Sequence, residues 1–171
     1  MEKTQRKTKD ITKIAILAAM IYLGTYFIKI PSPNGYAHLG DCMIFVSVLI
    51  LGYKKGALAG AIGASLSDFL GGYMQWVVPT FFIKGIMAII MGIIAEKLFP
   101  KFKYGWLVGA TIGGIFQIVA YTLVKIPLFG YAYAIARIPG ITIQTIMGII
   151  FALVIITALS KTNLLEKLKE M

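Results

Sequence analysis

His38, Asp41, Asp68 and Lys84 are the side chains of this sequence best suited to move a proton or hold a charge, and Gln117, Tyr121 and Gln144 add hydrogen-bonding groups inside apolar runs. Two carboxylates and a histidine suffice in principle for acid–base chemistry, but nothing assembles a reaction around them. There is no Gly-x-Ser-x-Gly nucleophile elbow, no Gly-x4-Gly-Lys-Ser/Thr phosphate loop, and no serine in a recognisable arrangement with the sole histidine. A single histidine and a single cysteine, Cys42, also exclude a multi-His/Cys zinc site and a disulfide framework. These residues therefore point to binding, with no enzyme activity, metal or cofactor expected.

The elements that must position them are read from composition. The 171 residues are 58% hydrophobic and only 14% charged, against roughly 25% charged in an ordinary soluble domain. A mean hydropathy of +0.83 makes lipid the fitting solvent. Six candidate helices follow, at about residues 11–30, 39–51, 56–70, 78–98, 104–124 and 139–159, with a polar, helical tail after Lys161. Pro31, Pro33 and Asn34-Gly35 stop the first, Gly52-Tyr53-Lys54-Lys55 divides the second from the third, Pro100 closes the fourth, and Pro127 and Gly130 lie in the loop before the sixth. The second and third are short, and read as two spans or as one hydrophobic hairpin. The first run has no Ala-x-Ala site near its end, so it reads as a retained helix rather than a signal peptide.

Net charge of +10 would suggest nucleic acid in a soluble protein; here the basic residues punctuate apolar runs. With the amino terminus inside, Lys3, Arg6, Lys7, Lys9, Lys13, Lys54, Lys55, Lys97, Lys101, Lys103, Lys161, Lys167 and Lys169 fall on the inner side. Only Lys29, Lys84, Lys125 and Arg137 fall on the outer. Thirteen against four obeys the positive-inside rule. The expectation is an all-α integral membrane protein, one membrane domain over residues 1–171, with six spans and both termini cytoplasmic.

Placed on that topology, the polar residues share one level. His38, Asp41, Asp68, Lys84, Gln117, Tyr121 and Gln144 all fall in the outer half of the bilayer, with Lys84 roughly 7.5 Å below Pro79 at the helical rise. Intramembrane groups of this kind cost roughly 2.5–3.5 kcal/mol each unless they face a cavity or partner. Outer loops add Asn34, Tyr36, Tyr73, Gln75, Trp76, Phe129, Tyr131, Tyr133 and Arg137. Together they would line an outward-open pocket for a small, flat polar molecule, and the presence of both signs of charge favours a neutral or zwitterionic one. The plainer readings are an aromatic belt for Trp76 and the tyrosines, an Asp68–Lys84 ion pair, a helix cap for Asp41, and snorkelling for Lys29 and Lys125. Gln117, Gln144 and Lys84 are the hardest to explain in these ways and carry the most weight.

Small residues mark close helix approach. The stripes at Gly56, Gly60 and Ala64, at Gly105, Gly109 and Gly113, and at Gly148 and Ala152 read as internal packing. Ala15, Ala18 and Ala19, near the cytoplasmic end beside the basic segment, read as a face for another protein.

Several of these pieces together resemble the substrate-binding S components of energy-coupling factor (ECF) vitamin transporters. They are Ala15-x-x-x-Ala19, Pro31-Ser-Pro-Asn-Gly-Tyr-Ala-His-Leu-Gly-Asp41, Gly52…Gly56-Ala-Leu-Ala-Gly60, Ser67-Asp68-Phe-Leu-Gly71-Gly72-Tyr73 and Ile83-Lys84-Gly85. The resemblance runs along the whole chain. It implies a multi-pass protein of a prokaryotic plasma membrane that captures a vitamin from outside. It also implies docking through the Ala15/Ala19 face on a transmembrane T component coupled to two cytoplasmic ATPases. By segment, it puts Asn34, Lys84, Gln117, Tyr121 and Gln144 at ligand-bearing locations. The branch resembled is associated with hydroxymethylpyrimidine, pyridoxine or riboflavin, and the residue inventory favours pyridoxine or the pyrimidine. A ligand-free assembly protein and a stand-alone facilitator are the other classes open; the latter needs a polar path through the inner half.

Overall fold

The computed structural model describes residues 2–32, 35–162 and 164–170. Helix α1 (Glu2–Tyr26) begins well before the first apolar residue, because the helix-favouring charged segment simply extends it. It ends four residues earlier than expected. The chain instead forms an antiparallel pair, β1 (Lys29–Ser32) with β2 (Gly35–His38), in the register Lys29 to His38. Prolines stop a helix but are tolerated on a two-stranded edge, which is why a loop was the expectation here. The hairpin is tied down where the Leu39 N–H donates to the Gly24 carbonyl at 3.1 Å.

Helix α2 (Gly40–Leu70) is one run of helical hydrogen bonding only in name. At Gly52 the backbone takes φ +80°, ψ 165°, a conformation essentially reserved for glycine. The chain doubles back there into two arms, residues 40–51 and 53–70. A Cβ built on Gly56 would stand 2.5 Å from Val48 Cα, whereas residues eight apart in a straight helix are about 12 Å apart. Ser47 Oγ seals the fold-back, donating to Ile44 O at 2.8 Å and lying 3.3 Å from Gly56 O. The expected second and third helices are these two arms.

Helix α3 (Met74–Ile93) runs into a π-helical turn at Ile94–Leu98, and the Glu96 carboxylate there accepts the Tyr53 N–H at 2.9 Å, holding the α2 turn. Helix α4 (Gly105–Phe129) continues through Pro127 and stops only at Gly130, whose φ is +88°. The segment expected as a loop thus gives α4 five more residues than predicted and a short α5 (Tyr131–Ala136). It leads directly into α6 (Ile138–Lys161), and α7 (Leu164–Glu170) follows.

Among the described residues, four stretches are long and apolar enough to cross a membrane: Gly40–Leu70, Met74–Leu98, Gly105–Phe129 and Tyr131–Lys161. α1, charged through its first half, is not among them. No more than 50% of any of these four windows is buried inside the protein, so leucines, isoleucines and phenylalanines cover the exterior, as lipid requires. The interior is closed by small residues as expected. Gly63 sits against Ala18 O, and Gly109 and Gly113 sit against the carbonyls of Met91 and Met87. Phe45, Met87 and Met91 have no exposed surface.

The two ends of the bundle differ. At one end, Asp10 pairs with Lys55 at 2.7 Å, Lys13 Nζ donates to Leu168 O at 3.4 Å and Glu96 holds Tyr53. This end gathers the α1 amino terminus, the α2 turn, the π turn and α7. The end of α1, both termini of α2, the start of α3, the end of α4 and the start of α6 meet at the other.

Candidate ligand-binding site

The second end holds a partly open cavity of about 400 Å³. Its floor is a hydrogen-bonded network drawn from four helical segments. Asp41, in the first turn of α2, is fully buried, and its carboxylate accepts from Lys84 Nζ at 2.5 Å, Gln117 Nε2 at 2.9 Å and Gln144 Nε2 at 3.2 Å. Lys84 Nζ donates also to Gln117 Oε1 at 2.6 Å, and Gln117 Nε2 to Thr145 Oγ1 at 2.6 Å. A buried charge is stable only when paired and hydrogen-bonded, and this network does both. Gly148 makes room for it, since a Cβ there would stand 2.8 Å from that of Asp41.

The walls are aromatic. Trp76 stacks on Phe129 with ring centroids 5.9 Å apart and planes 21° off parallel, and it tilts over Tyr121 at 5.8 Å. The Tyr121 hydroxyl donates to Thr80 Oγ1 at 3.0 Å, and Thr80 in turn faces the Asp68 carboxylate. His38 Nδ1 accepts the Gly40 N–H at 3.2 Å, which places the proton of a neutral ring on Nε2. Arg137 lies over the Tyr133 ring, 5.8 Å from its centroid.

Of the residues expected at a site, His38, Asp68, Tyr73, Trp76, Lys84, Tyr121, Arg137 and Gln144 line the cavity. Asp41 and Gln117 lie beneath it, holding Lys84 and Gln144. Tyr131, 69% exposed, stands outside the lining. Asn34 and the side chain of Tyr36 lie outside the described residues. Three plainer readings are corrected. Lys84 pairs with Asp41 rather than Asp68, and α2 has no side-chain cap from Asp41, whose oxygens are taken by the floor network. Lys125 does not snorkel: α4 continues past Pro127, so Lys125 stays on the helix, buried, and lines the cavity. Thr25, Ser67 and Thr80 in the lining and Thr145 in the floor were not anticipated. Spacing carried the signal for two of the missed residues, because Trp76, Thr80 and Lys84, like Gln117, Tyr121 and Lys125, recur every fourth residue along one helix face. On α1, Ala15 and Ala19 are exposed, while Ala18 is buried against the second arm of α2. The face anticipated for a partner narrows to the two outer alanines.

A lipid-facing helical bundle with a polar-floored, aromatic-walled pocket at one end defines a membrane protein that binds a small molecule. Residues 5–161 match the model of the ECF-type riboflavin transporter S component family, and the chain belongs to that family. It is a multi-pass substrate-binding component of vitamin transport, within a family of transport proteins rather than enzymes. Three relatives accord with this. An uncharacterised protein encoded in the gap 3' region of Pyrococcus woesei is 34% identical over 72% of this chain and 81% of its own length. A UPF0397 protein of Lactobacillus helveticus is 30% identical over 74% of this chain, which spans 64% of that relative. The thiamine precursor transporter HmpT of Lactococcus lactis is 23% identical over 94% of this chain and 93% of its own length.

Proposed function

We propose that this S component captures a single-ring heteroaromatic vitamin or precursor, of the hydroxymethylpyrimidine or pyridoxine type, and that the residues lining the cavity are its ligand contacts. The observation that carries this reading is an aromatic wall of Trp76, Tyr121 and Phe129 standing above donors and acceptors on Lys84 and Gln144. A flat ring stacks on the first and is read at its edge by the second. At about 400 Å³ the cavity is near the small end of ligand pockets, roughly 300–1,000 Å³, which suits one substituted ring better than a three-ring riboflavin. The thiamine-precursor relative aligned along nearly the whole chain supports the same choice. A ligand-free packing protein would share the self-paired floor, but it has no use for a partly open polar cavity above it. A facilitator would need polar groups where Phe45, Met87 and Met91 pack.

The test is native mass spectrometry of the detergent-purified protein with hydroxymethylpyrimidine, pyridoxine, thiamine and riboflavin. A single-ring compound is expected to stay bound at the lowest concentrations. Trp76→Ala should weaken it at least tenfold, about 1.4 kcal/mol. Retention of riboflavin alone, or of none, overturns the reading.

In this reading the cavity opens outward, and the opposite end, with both termini and the Lys54-Lys55 turn, faces the cytoplasm. The exposed Ala15/Ala19 face docks a T component bound to two ATPases. Changing both alanines to tryptophan should abolish copurification of those partners while ligand binding by the purified protein persists. Unchanged copurification would move the docking surface elsewhere.

A further inference from the structure

The floor of the cavity is balanced in charge, but its upper wall is not. Lys125 is only 9% exposed, lines the cavity, and has no carboxylate or hydrogen-bond acceptor among the described residues. Its ammonium stands 5.6 Å from the Trp76 ring centroid and 5.4 Å from that of Tyr121. Ring faces attract a cation, but they leave its three N–H donors without proper acceptors. The charges that bear on Lys125 are Arg137 and Lys84, both of its own sign. Arg137 rests on Tyr133 and makes no ion pair among the described residues. Asp68, the one carboxylate in the described lining, is directed to Thr80, and the cation whose charge bears on it is Lys84. The described lining therefore carries the single carboxylate of Asp68, turned to Thr80, against two cations, Lys125 and Arg137, that make no ion pair.

We infer that Lys125 and Arg137 form an anion subsite, and that the ligand is a heteroaromatic ring bearing an anionic arm, a phosphate monoester or a carboxylate. This rests on the binding role proposed above and adds the ligand's charge. With the ring against Trp76 and its edge toward Gln144 and Lys84, the arm supplies the acceptors that Lys125 lacks and the paired anionic oxygens that a guanidinium fork holds bidentately. On this inference the ligand is anionic, where the mixed charges of the expected pocket residues favoured a neutral or zwitterionic one.

Affinities of pyridoxine, pyridoxine 5′-phosphate and 4-pyridoxic acid, and of hydroxymethylpyrimidine and its monophosphate, test this in the intact purified protein. An anionic member is expected to bind at least tenfold more tightly than its alcohol parent, and which anion wins identifies the arm. Lys125→Met should erase that preference and Lys125→Arg should keep it. A second readout is independent of the ring: ligand-free Lys125→Met should melt a few degrees higher than the parent protein, because it removes an ammonium that lacks an acceptor. A parent alcohol that binds as well as its anionic forms overturns the inference alone, as does a lower melting temperature for Lys125→Met. Failure of every ring compound, charged or not, overturns the binding role and the inference with it.

Discussion

Asp41→Ala will lower the melting temperature in detergent by on the order of 10 °C. The substitution leaves Lys84, which is 2% exposed, as a buried cation without its counter-charge, and removes the acceptor shared by Gln117 and Gln144. Breaking a buried pair from one side costs about 3–5 kcal/mol, and for a chain of this length each kcal/mol moves the midpoint by about 2–4 °C. The double variant Asp41→Ala, Lys84→Met discriminates charge from packing. With both charges gone, most of the lost stability should return, although Lys84 no longer faces the cavity and ligand affinity should remain low. Equal melting of the single and double variants would mean that the network contributes through shape alone.

Gly56→Ala should cost about 3 kcal/mol or more, against no loss for Gly140→Ala. At Gly56 an added methyl meets Val48 Cα at 2.5 Å, Val48 N at 2.7 Å and the Ser47 carbonyl carbon at 3.0 Å, all of them backbone. No side chain can swing aside, so the arms of α2 must part, at a cost at or above the usual range for overpacking. Asp41 begins the first arm and Asp68 ends the second, so parting them also deforms the cavity. Gly140 has nothing within 4 Å of such a methyl, and alanine there gains about 0.5–1 kcal/mol of helix preference. Thermal unfolding of both variants, with ligand affinity as a second readout, checks the pair. Equal stability would sink the close-approach account.

The bundle was legible in the sequence because lipid leaves the backbone few options: apolar runs bounded by Pro, Gly and Lys are helices. What composition hid was local. Pro31 and Pro33 mark the end of a helix and a strand edge equally well, so the β1–β2 pair could not be distinguished from a loop. Pro127 near the end of α4 removes one backbone hydrogen bond without ending the helix, and reading it as a terminus turned Lys125 from a wall residue into an anchor. Which side chains occupy the polar level was readable from depth, but their partners were not. Asp41 and Asp68 are equivalent on paper as partners for Lys84, and only the crossing of α2, α3, α4 and α6 selects Asp41.

The fully buried layer one and two turns below the floor, formed by Phe45 and by Met87 and Met91 against the glycines of α4, has an electrical meaning. A close-packed apolar slab conducts neither water nor ions, so the pocket can be wet at its mouth while the membrane keeps its voltage. A vessel with one opening also has one route for loading and unloading. With passage through the interior closed, the transport role proposed above implies that the opening itself turns from one aqueous phase to the other.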